Sequence, residues 1–170
     1  MKSLIVYYSL SGTTRAVAEA LAQKLSADIE EIRCARYRPH FSGFIRAGYD
    51  SWAGRLPPIE RSQRIPSLYD LVVIGGPMWA FHVATPVRAY LRSEAGRLSS
   101  VALFLTHGGS PADKAFREME SLAGLEAKGT LAVREMDVKT GAFRFAVSSF
   151  AAALQESKSA HSRENPGIER

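Results

Sequence analysis

The feature that most constrains this chain is its alternation of short apolar runs with helix-length amphipathic stretches. Leu4 to Tyr8 is an apolar, β-rich run ended by Ser9-Leu10-Ser11-Gly12. Thr14 to Leu25 follows, with Val17, Leu21 and Leu25 at helical spacing. Ile29 to Cys34 reads as a weaker strand, and Leu71 to Ile74 as a strand ended by Gly75-Gly76-Pro77. Pro86 to Arg92 reads as helix, with Pro86 suited to its first turn. Val101 to Thr106 is a further strand, ended by His107-Gly108-Gly109. Ala112 to Ala123 is helical, with Phe116, Met119 and Ala123 on one face. Thr130 to Asp137 is the last strand, and Ala142 to Gln155 the last helix, its inner stripe Phe143, Val147, Phe150 and Leu154. Apolar strands without polar alternation are covered on both faces. Strands separated by helix-length segments imply right-handed crossovers. The expectation is an α/β domain, a parallel sheet with helices on both faces.

With 170 residues, 46% of them hydrophobic and 23% charged, the chain has the size and balance of one globular domain. That domain is expected over residues 1–156, with 157–170 a disordered polar tail. The stretch Tyr37 to Pro66 breaks the rhythm; it is expected to be partly helical and to form a surface flap. The longest apolar run, Leu71 to Phe81, has 11 residues, whereas a membrane span needs about 20. The N-terminal run is too short for a signal peptide. A single cysteine, Cys34, allows no internal disulfide and fits a reducing, cytoplasmic setting. The net charge of +5 favours acidic or phosphorylated partners. Lys and Arg are scattered, which argues against a nucleic-acid face. The one local excess is Arg33, Arg36 and Arg38, followed by Arg46, Arg55, Arg61 and Arg64, which could attract the phosphate of a pyridine nucleotide. The four histidines lie far apart, so no metal site is expected.

In an open parallel sheet, ligands sit beyond the carboxyl ends of the strands, where strand order reverses. Three strand ends carry unusual sequence. The first, Ser9-Leu10-Ser11-Gly12-Thr13-Thr14, places four hydroxyls within six residues at a helix start. Hydroxyls and unbonded N–H groups there make an anion pocket. The Lys of a nucleoside-triphosphate loop is missing, so one terminal phosphate suits the loop better than a polyphosphate. The second, Gly75 to His82, offers Trp79 and Phe81 to a flat apolar ring, with Met78 as soft contact. Spaced by two, these aromatics would share a side of an extended loop. The third is Thr106-His107-Gly108-Gly109-Ser110.

The run Ile5 to Thr14, with Ala18 downstream, resembles the phosphate loop of the flavodoxin family. Trp79 after Gly-Gly-Pro resembles that family's ring-binding loop, and Thr106-His107-Gly108-Gly109 stands where its third flavin loop would be. The resemblance implies a flavodoxin-like three-layer sandwich whose five-stranded parallel sheet has the order 2-1-3-4-5. It implies FMN as cofactor, the phosphate held by Ser9, Leu10, Ser11, Gly12, Thr13 and Thr14. The ring would lie between Pro77, Met78, Trp79, Ala80, Phe81 and the third loop, Thr106, His107, Gly108 and Gly109. Many flavodoxins cover the second ring face with an aromatic at the third loop; here two glycines follow His107. An open face admits a nicotinamide or a quinone, and His107 is a candidate to bond the ring edge or take a proton. Carriers of this family are usually acidic, whereas this chain is basic. The expectation is therefore an FMN-dependent oxidoreductase passing electrons from NAD(P)H or a protein donor to a quinone or other small acceptor. The alternatives are an electron carrier without its own substrate site and a non-catalytic binding or regulatory domain. Related reductases often complete the flavin site from a neighbouring chain, so a homodimer is also expected.

Overall fold

Burial decides which runs become strands. β1 (Ser3–Tyr7) and the first four residues of β3 (Leu71–Trp79) are buried throughout, so neither strand shows polar alternation. The computed structural model describes residues 2–37, 49–50 and 53–164, with side chains as far as Ser157. In chain order the elements are β1, α1 (Thr13–Leu25), β2 (Asp28–Glu31), β3, β4 (His82–Val83), α2 (Thr85–Glu94), β5 (Val101–His107), α3 (Asp113–Ala123), β6 (Ala127–Arg134), α4 (Glu135–Thr140) and α5 (Phe143–Glu164).

The parallel strands run in the order β2-β1-β3-β5-β6. With β4 left out of the count, this is the expected 2-1-3-4-5. β4 is a sixth strand, two residues long, that folds back antiparallel on the end of β3: Met78 opposes Val83 and Trp79 opposes His82. Chain order reverses between β1 and β3, where Tyr7 is in register with Gly75. Both strand ends therefore open onto the crevice that receives ligands in such sheets.

One face of the sheet packs on α1 and α5 through Ile5, Val17, Leu21, Val73, Phe104, Val147 and Leu154. The other packs on α2 and α3 through Val6, Ile74, Val87, Leu91, Leu103, Phe116 and Met119. The anticipated inner stripe of α5, Phe143, Val147, Phe150 and Leu154, is buried in full. Edge strand β6 alternates instead, with Leu131 and Val133 inward and their neighbours exposed.

The structure corrects several boundaries. β2 ends at Glu31 rather than reaching Cys34, and β6 starts three residues earlier than Thr130 and stops at Arg134. α5 runs on to Glu164, so the chain after residue 156 continues as helix; residues 165–170 lie outside the described residues. Gly75 and Gly76 do not end β3. They sit inside it because a Cβ at Gly75 would overlap the Phe104 ring and one at Gly76 would press on Val87. Of the Tyr37 to Pro66 segment, 38–48 and 51–52 lie outside the described residues. Its described ends are anchored. Tyr37 and Asp50 are buried, and Tyr37 Oη donates to Asp50 Oδ2 (2.9 Å) and lies 2.8 Å from Thr85 Oγ1.

Candidate functional site

The first strand end becomes a tight turn because Gly12 holds φ 94°, a left-handed conformation that costs glycine little. Gly12 is the N-cap of α1, and no side chain caps the helix. The N–H groups of its first turn therefore remain for a ligand, and the helix dipole adds positive potential there. Ser9 Oγ accepts from Gly12 N–H (3.1 Å), which shapes the turn, and Ser11 Oγ lies 3.3 Å from Thr13 Oγ1 at the surface. Leu10 packs against the apolar cluster, leaving only its backbone to the loop.

Thr14 is not a surface hydroxyl. It is 1% exposed, and its Oγ1 lies 2.7 Å from Oγ1 of Thr106, also 1% exposed. The pair joins the first loop to the third, where β5 ends. Two hydroxyls spend one proton on their mutual bond and keep one to donate. Arg15 stands beside the loop, but both oxygens of Glu31 accept from its Nη2 at 2.8 Å, and Tyr7 Oη accepts from its Nε at 3.3 Å.

The second strand end is a two-residue hairpin. Ala80 and Phe81 occupy the turn with φ 48° and 67°, and Ala84 N–H donates to Pro77 O (2.9 Å) behind it. Left-handed backbone costs a non-glycine residue about 1–2 kcal/mol. The two aromatics consequently differ in setting, contrary to the shared side expected of an extended loop. Trp79 is half-buried and meets Tyr8 (5.6 Å between centroids, 87°) and Tyr37 (5.3 Å, 78°) edge-on, whereas Phe81 is 63% exposed. Met78 packs toward the core. His82 Nδ1 lies 3.1 Å from Glu118 Oε2, and Glu118 Oε1 accepts from Arg88 at 2.9 Å, which ties the hairpin to α3.

At the third strand end, His107 Nδ1 is buried without a hydrogen-bond partner among the described residues. Gly108 and Gly109 have open space where a Cβ would stand. Behind Trp79, Asp50 is 1% exposed and accepts from Arg36 Nε (2.7 Å) and Nη2 (3.1 Å). Arg36 holds the Asp50 carboxyl below its ordinary range, with Tyr37 adding to the effect against burial. Burial raises the phenols of Tyr8 and Tyr37, so both stay neutral.

Part of the basic cluster read from the sequence is paired with acids. Arg36 is committed to Asp50, Arg64 lies 2.8 Å from Asp28, and Arg33 lies 4.0 Å from Glu60. Arg38 and Arg46 lie outside the described residues. Cys34 is half-buried, and its thiol donates to Pro58 O at 3.6 Å. The described residues hold no group of three metal-ligating side chains, and no helix among them is long and apolar enough to cross a membrane. Sequence reasoning missed Tyr8, Tyr37, Asp50, Thr85 and the His82–Glu118 contact. Each depends on a pairing across the fold that no local pattern signals.

No protein-family model matches the sequence, and no curated protein matches it. Solved structures do. The flavoprotein in complex with FMN from Lactobacillus acidophilus NCFM superposes with a TM-score of 0.68 at 27% identity, covering 82% of this chain and 97% of that one. The chain has the flavodoxin-like fold. A protein of Bacteroides eggerthii DSM 20697 gives a TM-score of 0.65 at 22% identity over 82% of this chain and 94% of that one. Oxidised flavodoxin 2 from Bacillus cereus gives 0.55 at 18% identity over 92% and 99%. In this flavodoxin-like chain the three strand ends picked out by sequence share one sheet edge, joined by Thr14–Thr106 and by Tyr8–Trp79.

Proposed function

We propose that this protein binds FMN at the shared edge of β1, β3 and β5 and works as an oxidoreductase with a small acceptor. The observation that carries the reading is the uncapped start of α1, ringed by hydroxyls and latched to the third loop by Thr14–Thr106. The L. acidophilus flavoprotein, which is described with FMN, supports it. The first-turn N–H groups, Ser9, Ser11, Thr13 and the spare proton of the Thr14–Thr106 pair would hold the phosphate. Leu10 and Gly12 would contribute backbone. Pro77 to Phe81 would line one side of the ring, with Trp79 positioned by Tyr8 and Tyr37. The partnerless Nδ1 of His107 fits a polar atom of the ring edge, which would remove the cost of leaving it unpaired.

When bound, FMN would supply the redox chemistry, and the protein would supply orientation and electrostatics. The chain's own share of the work lies at the open ring face. Gly108 and Gly109 leave room there for a second flat molecule, a nicotinamide or a quinone. A protein of net charge +5 is also poorly matched, overall, to docking on basic partners as an acidic carrier does. The test has two steps. The absorbance spectrum of freshly purified protein, with mass identification of any released chromophore, reads FMN. Steady-state oxidation of NADH or NADPH with a quinone then reads the reaction. Turnover supports an oxidoreductase; bound FMN with no turnover but rapid exchange with a reductase would make the protein a carrier. A preparation that stays colourless after FMN is added would refute the site.

A further inference from the structure

Behind Trp79 lies a buried polar chain drawn from outside the three strand-end loops. Asp50 Oδ2 accepts from Arg36 Nε (2.7 Å) and Tyr37 Oη (2.9 Å), and its Oδ1 accepts from Arg36 Nη2 (3.1 Å). Tyr37 Oη also lies 2.8 Å from Oγ1 of Thr85, the first residue of α2. Asp50, Tyr37 and Thr85 are all buried. Arg36 keeps the Asp50 carboxyl ionised, so the single phenol proton goes to Asp50 and Thr85 must donate to Tyr37. The protons therefore run one way, from Thr85 through Tyr37 to Asp50. Asp50 is itself fixed, since Arg55 N–H donates to its carbonyl oxygen (2.9 Å). The two rings that flank Trp79 are held differently. Tyr8 is held by main chain: it follows β1, and its N–H donates to Gly75 O (3.1 Å). Tyr37 lies past the end of β2, and its ring is anchored at the hydroxyl from both sides.

We propose that Asp50 is a positioning residue for the flavin ring: through the Tyr37 hydroxyl it sets how Trp79 is presented to the cofactor. The inference rests on the FMN site proposed above. The Tyr37 ring meets Trp79 at 5.3 Å between centroids and 78°, an edge-on contact whose direction depends on where the phenol is anchored. An apolar ring packed on Trp79 could fill the same space with no polar atom. Burying a carboxylate behind it carries a desolvation penalty that an ion pair does little more than offset. Arg36 supplies that offset from the solvent side, its side chain 34% exposed against 1% for Asp50. What the carboxylate adds is direction, one acceptor at one place for one proton. Asp50 acts through Tyr37 and Trp79, so its loss loosens the stack and leaves the phosphate contacts of the first loop in place.

The test uses the full chain carrying Trp52→Phe, a position outside the described residues, so that Trp79 is the sole tryptophan. In the cofactor-free protein, Asp50→Ala should raise acrylamide quenching of Trp79 fluorescence at least about twofold. Asp50→Asn keeps an oxygen for the Tyr37 proton and should quench like the parent, a rescue that a role through charge alone would not give. On titration with FMN, Asp50→Ala should weaken binding about threefold or more, within the about 12-fold that the whole Trp79 stack allows. In a Trp79→Ala background the same change should add less than about twofold, because the wall it positions is gone. Should Asp50→Ala fail to fold, Tyr37→Phe removes only the hydroxyl and should show the same pattern. Parent-like quenching in folded Asp50→Ala or Tyr37→Phe, an Asp50→Asn chain as disturbed as Asp50→Ala, or an undiminished FMN effect in the Trp79→Ala background would each overturn the proposal. A parent chain that binds no FMN would refute the site instead, and the quenching series, read without cofactor, keeps the two failures apart.

Discussion

Replacing Thr14 by valine keeps the side-chain shape and removes one oxygen. In the parent, that oxygen is 2.7 Å from Thr106 Oγ1, and both residues are 1% exposed. The substitution leaves the Thr106 hydroxyl without its partner in a nearly closed setting, which costs about 1–3 kcal/mol of stability. Thr106→Val should cost a similar amount for the same reason. The double variant leaves nothing stranded and should be distinctly more stable than the sum of the two losses predicts. FMN affinity should follow a different rule. The pair has one proton to spare, and a hydrogen bond to a charged phosphate contributes about 1.5–3 kcal/mol, which converts to about 10- to 150-fold in Kd. Each single variant and the double variant should therefore bind FMN more weakly, although the double variant regains stability. Urea denaturation of the cofactor-free chain measures the first effect, and quenching of flavin fluorescence on titration measures the second. FMN affinity within about threefold of the parent in Thr14→Val, alongside the stability loss, would show that the pair is a latch between loops and no part of a phosphate site.

Three further changes probe other parts of the molecule. Trp79→Ala should weaken FMN binding about 2- to 12-fold, the equivalent of about 0.5–1.5 kcal/mol of stacking, and should shift the flavin absorption bands. Gly108→Tyr meets open space and should keep FMN bound while covering the second ring face; quinone turnover should fall at least about tenfold, and unchanged turnover would place the acceptor elsewhere. Asp50 is held below its ordinary value of 3.8, chiefly by its hydrogen bonds from Arg36. A depressed carboxyl stabilises the fold above the unfolded-state value, and this contribution is lost as the pH falls through the folded-state value. The denaturation midpoint of the parent should thus drop steeply below about pH 4, whereas Asp50→Asn should start lower and lose less over the same range.

The sequence patterns that proved readable are those where one residue's role follows from its neighbours along the chain. Val17, Leu21 and Leu25 reach the core because helical spacing aligns them on one stripe. Ser9 to Thr14 are recognisable because the strand before them and the helix after them fix where the turn must fall. Gly75 and Gly76 were misleading for a physical reason. Glycine suggests a chain break, but here Phe104 and Val87, which belong to β5 and α2, occupy the space a side chain would need. The hairpin was equally hidden, since Ala80-Phe81 is no turn signature, and the antiparallel ladder from Met78 to Val83 carries the backbone through it. Thr14–Thr106, separated by 92 residues, and Asp50–Arg36–Tyr37–Thr85 are contacts that only the folded sheet creates.

The hairpin tip also bears on how the site would treat a ligand. Two successive non-glycine residues in left-handed backbone are held against a cost of about 1–2 kcal/mol each, so the surroundings must over-determine the turn. They do so from both arms. On one, Trp79 is wedged edge-on between Tyr8, which follows β1, and Tyr37, which the buried Asp50 holds. On the other, His82 is fastened to Glu118, which Arg88 fixes in turn. The strain is thus met within the protein, before any ligand arrives. A ligand that stacks there meets a surface already in place and spends little of its binding energy on ordering the loop. The third loop has the opposite character, two glycines with open space around them. A rigid wall on one side and an open one on the other suit a cofactor that stays while its reaction partners come and go.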